Sequence, residues 1–361
     1  MIRVGVNART FSVSEPGGAV QTAINQTKEL EKNDEIDLAI LGHDSVAELF
    51  PEEELISDYF FRDSQVFGIL WERIFLPRLI EKYDIDLLYC PNGNAPLTEI
   101  DASVVVCTHD MNALRGMSSP THRLYRTITL PRGLQLADAI VTVSEFSKSE
   151  IERIISVDRS KISVVPNGVS DDYLYSSLES PVDLPDDYIL YVGSLNPRKN
   201  ISGILESYRI LRENYGVPHK LVIIGPGNKS IFQDFTIGES SQIVTPGYLT
   251  QPELKYAYKN ADIFLYPSKY EGFGLPPLEA MTQMTPVVAS SAAALPEVLG
   301  DCALFPDPDR PEQIAEGVWK VLNDHELKTE LTECGEELVE KYSWERAGNR
   351  LVNVFTNVEG R

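Results

Sequence analysis

The sequence predicts an α/β protein of two doubly wound, parallel-sheet domains. Three observations predict it. The chain has 361 residues, and domains average roughly 150. Short apolar runs alternate with helical stretches almost from end to end. One stretch, 170–187, breaks that rhythm with Ser, Asp and Pro, and the alternation then restarts. Hydrophobic residues make up 43% of the chain, enough for two cores, so wholesale disorder is excluded.

The first domain, 1–169, reads as strand 2–6, helix 19–32, strand 36–41, helix 67–82, strands 86–89 and 103–107, helix 121–136, strand 139–143, helix 146–155 and strand 162–165. Runs such as Ser103-Val104-Val105-Val106 and Ala139-Ile140-Val141-Thr142-Val143 are almost wholly apolar, as expected of strands covered on both faces. After the linker 170–187, the second domain, 188–341, reads as strand 188–193, helix 200–214, strands 220–225 and 242–244, helix 252–259, strand 262–266, helix 276–283 and strand 286–289. Helices 311–323, 326–341 and 344–356 close the chain. Two such domains face each other across a cleft, and ligands in this architecture sit outside the carboxyl ends of the strands. Glycines and charges at those ends therefore carry the most weight.

Asp and Glu number 54 against 32 Lys and Arg, a net charge of −22, which excludes a general nucleic-acid binder. The acids are spread along the chain as solvated faces, and a surface of that kind suits a salt-adapted host. The N-terminus enters a strand at once, without the basic, apolar and cleavage segments of a signal peptide, and no run of 18 apolar residues occurs. Cys90, Cys107, Cys302 and Cys334 lie far apart, with no C-x-x-C pair and no His at ligand spacing. Spacing thus points to free thiols in a reducing cytoplasm and to no structural zinc site.

Strand 188–193 ends in Gly193-Ser194-Leu195-Asn196-Pro197-Arg198-Lys199-Asn200 before a helix. Helix starts prefer acids, so two cations there run against propensity; with free N–H groups and a helix dipole they suit a diphosphate. Strand 262–266 is followed by Glu271-Gly272-Phe273-Gly274-Leu275-Pro276-Pro277-Leu278-Glu279. The prolines fit a first helical turn, and the glycines free the amides of Phe273, Gly274 and Leu275 to face an anion. Glu271 and Glu279 flank that loop, one placed to reach a reacting group and the other a ribose diol. In the first half, Gly17-Gly18 opens a helix after strand 2–6, His109-Asp110 follows strand 103–107, and Asn167-Gly168 follows strand 162–165. There is no G-x-G-x-x-G after a strand and no Walker loop, which removes the main signals for a dehydrogenase or a P-loop enzyme. Asp84-Ile85-Asp86 stands at the amino end of a strand and Asp307-Pro308-Asp309 in a Pro-rich turn, so neither D-x-D is read as a metal motif.

With these residues in hand, the chain resembles the family 4 glycosyltransferases, glycogen-synthase-like retaining enzymes of GT-B architecture, nearly end to end. The resemblance rests on Gly17-Gly18, His109-Asp110, Val143-Ser144-x-Phe146-Ser147, Pro166-Asn167-Gly168-Val169, Gly193 through Asn200, the E-x7-E pair Glu271 and Glu279, Pro286-Val287-Val288-Ala289-Ser290 and Leu295-Pro296-Glu297. It implies that Arg198 and Lys199 bind the donor diphosphate, with Gly17, Gly18 and the amides of Phe273, Gly274 and Leu275 completing that site. It also implies that Glu279 holds the ribose, that Glu271 holds the transferred sugar, and that His109 sits beside the anomeric carbon. His109 and Glu271 are then the catalytic pair. The tail 342–361, beginning Tyr342-Ser343-Trp344, resembles the family's C-terminal helix that crosses back to the first domain. One departure stands out: where the family usually has a small residue and Gly before the Pro-Val strand, this chain has Thr282-Gln283-Met284-Thr285.

Two cations and a helix N-terminus can stabilise a leaving nucleoside diphosphate, so no divalent ion or other cofactor is expected. The form of the phosphate motif resembles mannosyltransferases that use GDP-mannose; UDP-sugar enzymes share the scaffold and are the alternative. Less favoured are an epimerase or phosphorylase of the same architecture, and a non-catalytic sugar-binding protein. The stretch 111–137 contains no Asp or Glu but carries Arg115, Arg123, Arg126 and Arg132. That local reversal of sign suggests an anionic partner, such as a lipid-linked diphosphate or a headgroup surface, and makes these arginines candidates for binding a saccharide or lipid-linked saccharide acceptor. The mixed aromatic, aliphatic and Arg stretch 66–78 reads either as a membrane-interface segment or as a core-facing helix. The expected location is cytoplasmic, with peripheral contact at the inner face of the membrane.

Overall fold

The computed structural model describes all residues except 12–17, 58–69, 118–119, 175–179, 226–241 and 361, and omits the side chains of 120–122 and 171–172. Gly17 and residues 66–69 thus lie outside the described residues. The chain divides into two compact units, Met1–Gly168 with Trp344–Arg361, and Val169–Ser343.

The first unit begins with β1 (Ile2–Asn7), α1 (Gly18–Glu31), β2 (Ile36–Leu41) and β3 (Glu54–Ile56). A π-helical turn, Trp71–Phe75, leads into α2 (Leu76–Lys82), followed by β4 (Leu87–Cys90), β5 (Ser103–Cys107) and α3 (Pro120–Leu136). Then come β6 (Ala139–Thr142), α4 (Glu145–Ile154) and β7 (Ile162–Val164). Seven parallel strands run in the order β3-β2-β1-β4-β5-β6-β7, so the direction of winding reverses between β1 and β4. β3 was hidden in sequence because it lies in the acid run Glu52-Glu53-Glu54. It survives as a short edge strand, where Arg3 of β1 reaches both Glu54 and Asp37.

The second unit begins with α5 (Asp171–Leu174), β8 (Tyr188–Val192), a 3₁₀ turn at Pro197–Lys199, and α6 (Ile201–Asn214). It continues with β9 (Lys220–Ile224), β10 (Ile243–Gly247), α7 (Gln251–Lys259), β11 (Ile263–Tyr266) and α8 (Leu275–Thr282). β12 (Val287–Ala289), α9 (Leu295–Leu299), β13 (Ala303–Leu304), α10 (Pro311–Asn323) and α11 (His325–Val339) complete it. The parallel order is β10-β9-β8-β11-β12-β13, with the reversal between β8 and β11. Part of 170–187 is built into this unit: Tyr173 is buried against Tyr258, and its carbonyl accepts from Gln283. Met284 closes the turn after α8 with φ +59°, a left-handed conformation that favours the glycine absent from this sequence.

The C-terminal helix, α12 (Trp344–Glu359), belongs to the first unit. Its apolar residues recur at helical spacing, and Trp344, Ala347, Leu351, Val352 and Phe355 are all buried. Phe355 meets Tyr89 of β4 with ring centroids 5.2 Å apart. Gly348 permits close approach to α1, since a Cβ there would lie 2.6 Å from the Cβ of Glu29.

One expectation is corrected. Cys302 and Cys334 form a disulfide, and only Cys90 and Cys107, both buried, are free. The pair is separated by 32 residues, and α11 brings Cys334 into place by packing on α8, where Gly335 lies against Met281. Spacing along the chain holds no trace of that contact.

Candidate active site

In the second unit the sequence-predicted residues converge at the winding reversal. Arg198 and Lys199 follow β8 and Glu271 follows β11, its immediate neighbour in the sheet. Asn196 caps the 3₁₀ turn by accepting from the Arg198 amide at 3.1 Å. Buried Asn200, at φ +61°, pins the other side by donating to the carbonyls of Pro267 and Pro308. The two cations therefore sit in a fixed turn ahead of α6 rather than in its first helical residues.

Glu271 explains why they are tolerated there. Its buried carboxylate accepts from Arg198 Nη1 at 2.8 Å on Oε2, and lies 2.6 Å from Lys199 Nζ on Oε1. Ser268 donates to Oε1 at 2.6 Å and the Tyr266 hydroxyl at 3.2 Å. Burial pushes this carboxyl up, but Lys199 and Arg198, with the hydrogen bonds of Lys199 and Ser268, outweigh it and hold it at about 2. Three donors crowd Oε1 and one occupies Oε2, so Oε2 keeps room for a further donor such as a sugar hydroxyl. Glu271 thus organises the two cations as well as being placed to touch a ligand.

The neighbouring loop is shaped for an anion. Gly274 stands at φ +104°, and a Cβ on it would lie 2.5 Å from Leu295 Cδ2. Pro276 and Pro277 open α8, where their missing N–H groups cost nothing. Among the described residues no acceptor receives the N–H of Phe273, Gly274 or Leu275. Phe273 is buried edge-on against Tyr342, ring centroids 5.4 Å apart, which fixes the loop. One turn into α8, half-buried Glu279 accepts from the Tyr258 hydroxyl at 2.9 Å. Burial raises its carboxyl to about 7, against the lowering effect of that hydrogen bond.

The first unit carries a polar cavity of about 410 Å³ at its own winding reversal, lined by residues that follow β1, β4 and β5 and by α3. His109 lies on its wall with Nε2 3.0 Å from the Pro91 carbonyl. That oxygen can only accept, so Nε2 carries the proton and the buried, unpartnered Nδ1 presents a lone pair. Burial lowers the imidazole to about 4, with the Arg126 charge adding to the effect and the Pro91 hydrogen bond opposing it. His109 is therefore a neutral acceptor at physiological pH.

Sequence reasoning missed the centre of this cavity. Arg9, just past β1, pairs with fully buried Glu72 at 2.9 Å, and the Tyr125 hydroxyl donates to both oxygens of Glu72, at 2.9 and 3.0 Å. Arg9 Nε is buried without a partner. The strand-end rule that singled out His109 applies equally to Arg9, but its partner stands 63 positions away in the π-helical turn. The four expected arginines do not form one patch. Arg126 points inward to the Gly93 carbonyl and the Asn94 side chain, and Arg115 pairs with Glu150. Arg123 and Arg132 are exposed on α3, beside exposed Leu124 and Ile128. Gly18 is exposed at the start of α1.

The comparisons with known proteins bear on the family and the fold. A model described as glycosyl transferases group 1 matches residues 179–338, and one described as glycosyltransferase family 4 matches residues 16–173. The chain is 32% identical over 274 residues to O-antigen chain mannosyltransferase B of Escherichia coli, covering 71% of this chain and 68% of that one. Sucrose-phosphate synthase from Thermosynechococcus elongatus superposes with a TM-score of 0.78 over 99% of both chains, at 17% identity. Anabaena HepE in complex with UDP and glucose gives a TM-score of 0.75 at 14% identity, over 99% of this chain and 100% of that one. At such identities the two structures speak for the fold alone.

Proposed function

The chain belongs to the group 1, family 4 glycosyltransferases, and from that premise we propose that it moves mannose from GDP-mannose to a hydroxyl of a saccharide or lipid-linked saccharide, with retention and without a divalent ion. The observation that carries the reading is the Arg198–Glu271–Lys199 cluster beside the unpartnered amides of Phe273, Gly274 and Leu275. The anomeric C–O bond to the diphosphate breaks as the acceptor oxygen bonds to the same carbon, and the acceptor proton leaves with the diphosphate. Charge growing on that diphosphate is met by the two cations, by the amides and by the N-terminus of α8, all held in place beforehand. Glu279 accepts from the ribose hydroxyls, Oε2 of Glu271 from the sugar, and Nδ1 of His109 from a sugar hydroxyl. The cavity around Arg9, Asn94 and Arg126 offers an acceptor sugar both donors and acceptors.

Mannose rests on the similarity to an O-antigen chain mannosyltransferase, and a UDP-sugar such as UDP-glucose is the competing donor because UDP-sugar enzymes share the scaffold. Incubating the protein with each donor and a panel of mannose-terminated acceptors, in chelator, tests the reading. Release of GDP with an α-linked product by NMR supports it; turnover of UDP-glucose alone replaces the donor, and a β-linked product removes retention.

We further propose that α3 and the π-helical turn Trp71–Phe75 rest on an anionic lipid surface. Leu124 and Ile128, 67% and 57% exposed, stand one turn apart between Arg123 and Arg132. Leu70, Arg73 and Ile74 are exposed as well, at the π-helical turn that the Glu72–Tyr125 hydrogen bonds tie to α3. Among the described residues no helix is long and apolar enough to cross a membrane. The net charge of −22 suits a salt-adapted protein, for which the unfolding midpoint rises with potassium chloride; a midpoint that falls removes this part of the proposal.

A further inference from the structure

At the opposite end of the second sheet from the Arg198–Glu271 cluster, three neighbouring strands each begin one residue after a metal-ligating side chain. Asp187 precedes β8, His219 precedes β9 and Asp262 precedes β11, and the order β9-β8-β11 makes them adjacent. Their positions are fixed by the sheet: the Lys220 amide donates to the Asp187 carbonyl at 3.0 Å, and the Asp262 amide to the Tyr188 carbonyl at 3.1 Å. One ligating atom from each of the three side chains lies within 4.8 Å of the others. We propose that Asp187, His219 and Asp262 bind a divalent transition-metal ion of the zinc class, with water completing the coordination, and that the ion ties the amino ends of the three strands together.

The geometry favours an ion over a simple acid–imidazole pair. His219 Nε2 stands 3.4 Å from Asp262 Oδ2, long for a hydrogen bond between such groups. Two ligands each about 2.1 Å from a tetrahedral ion stand about 3.4 Å apart. His219 Nδ1 is buried without a partner, so Nε2, turned toward Asp262, is the ring atom placed to ligate. Asp187 is exposed, with a carboxylate oxygen within 4.8 Å of the other two ligand atoms. Asp262 Oδ2 accepts from the Tyr188 amide at 3.3 Å and keeps one lone pair for the ion, while Oδ1 lies 3.7 Å from Lys328 Nζ, a repelling charge nearby. The ligands come from segments 32 and 43 positions apart in the chain, from Asp187 to His219 and from His219 to Asp262, and no spacing motif records them.

Cobalt(II) and zinc titrated into the chelator-treated full chain test the site, read by calorimetry and by the visible d–d bands of tetrahedral cobalt. One equivalent is expected, together with a raised unfolding midpoint. His219→Ala should weaken binding more than about 100-fold, beyond what loss of an outer partner costs. Asp187→Asn, at an exposed position that folding does not depend on, should weaken it as well, and Lys328→Ala should tighten it several-fold. Failure of cobalt to bind, or binding unchanged in Asp187→Asn and Lys328→Ala, overturns the proposal and leaves acidic-surface binding only.

Discussion

The Glu271 carboxylate and the Lys199 ammonium lie 2.6 Å apart, each side chain only 9% exposed, and Arg198 holds the other carboxylate oxygen at 2.8 Å. Two cations share one buried acid, so the cluster keeps a net positive charge at the start of the β11–α8 loop. Removing the acid leaves buried Lys199 and half-buried Arg198 side by side without their shared carboxylate, and breaking a buried pair in this way typically costs about 3–5 kcal/mol.

Glu271→Gln keeps the shape and loses the charge, so turnover should fall by at least about 100-fold, comparable to loss of one strong transition-state contact. Folding holds this carboxyl at about 2 against an ordinary 4.5. A lowered folded value gives stability that is fully present above 4.5 and is lost as pH falls from 4.5 toward 2. Acid unfolding of Glu271→Gln should therefore be less steep in that window; an identical acid limb in both proteins would contradict the pairing.

Glu279 titrates near neutrality because burial raises it to about 7. Only its ionised form accepts from both hydroxyls of a ribose, so nucleotide affinity should rise as pH increases through 7. Glu279→Gln should flatten that dependence and weaken binding by about 1.5–3 kcal/mol, with little change in kcat. A pH-independent affinity in the unaltered protein would remove Glu279 from the ribose site.

Replacing Leu124 and Ile128 together by Asp should abolish co-sedimentation with phosphatidylglycerol vesicles while leaving nucleotide binding intact. Raised salt should weaken the contact only in part, since its apolar share is not screened. Equal binding to neutral and anionic vesicles would refute the charge argument.

Met284→Gly should stabilise the protein by about 0.5–1 kcal/mol. A side chain in the left-handed region costs roughly 1–2 kcal/mol, and glycine returns part of that gain as unfolded-state entropy. Met284 is 55% exposed, so little packing is lost. A lowered denaturation midpoint would show that its side chain matters more than its backbone.

What the sequence made legible depends on where each signal is written. The strands are continuous apolar runs, and Arg198, Lys199, Glu271 and Gly274 stand in glycine- and proline-marked strand ends, so position alone located them. Edge strands β3 and β13 are three and two residues long, too short to show a period. The Arg9–Glu72–Tyr125 network, the Cys302–Cys334 bridge and the Asp187–His219–Asp262 cluster are contacts between distant segments, which only the folded chain brings together. The basic stretch 111–137 misled in a different way. It carries one sign of charge throughout, but in the fold Arg126 turns inward while Arg123 and Arg132 stay exposed, a split that composition does not record.

The account's central claim is that the Arg198–Glu271–Lys199 cluster and the β11–α8 loop form a nucleoside-diphosphate site. Calorimetric titration of GDP and UDP into the full chain, in molar-range potassium chloride with chelator present, tests it most directly. Tight binding of GDP, weaker binding of UDP and loss of both in Lys199→Ala are the results predicted. Failure of a folded sample to bind either nucleotide, or full binding by Lys199→Ala, would contradict it.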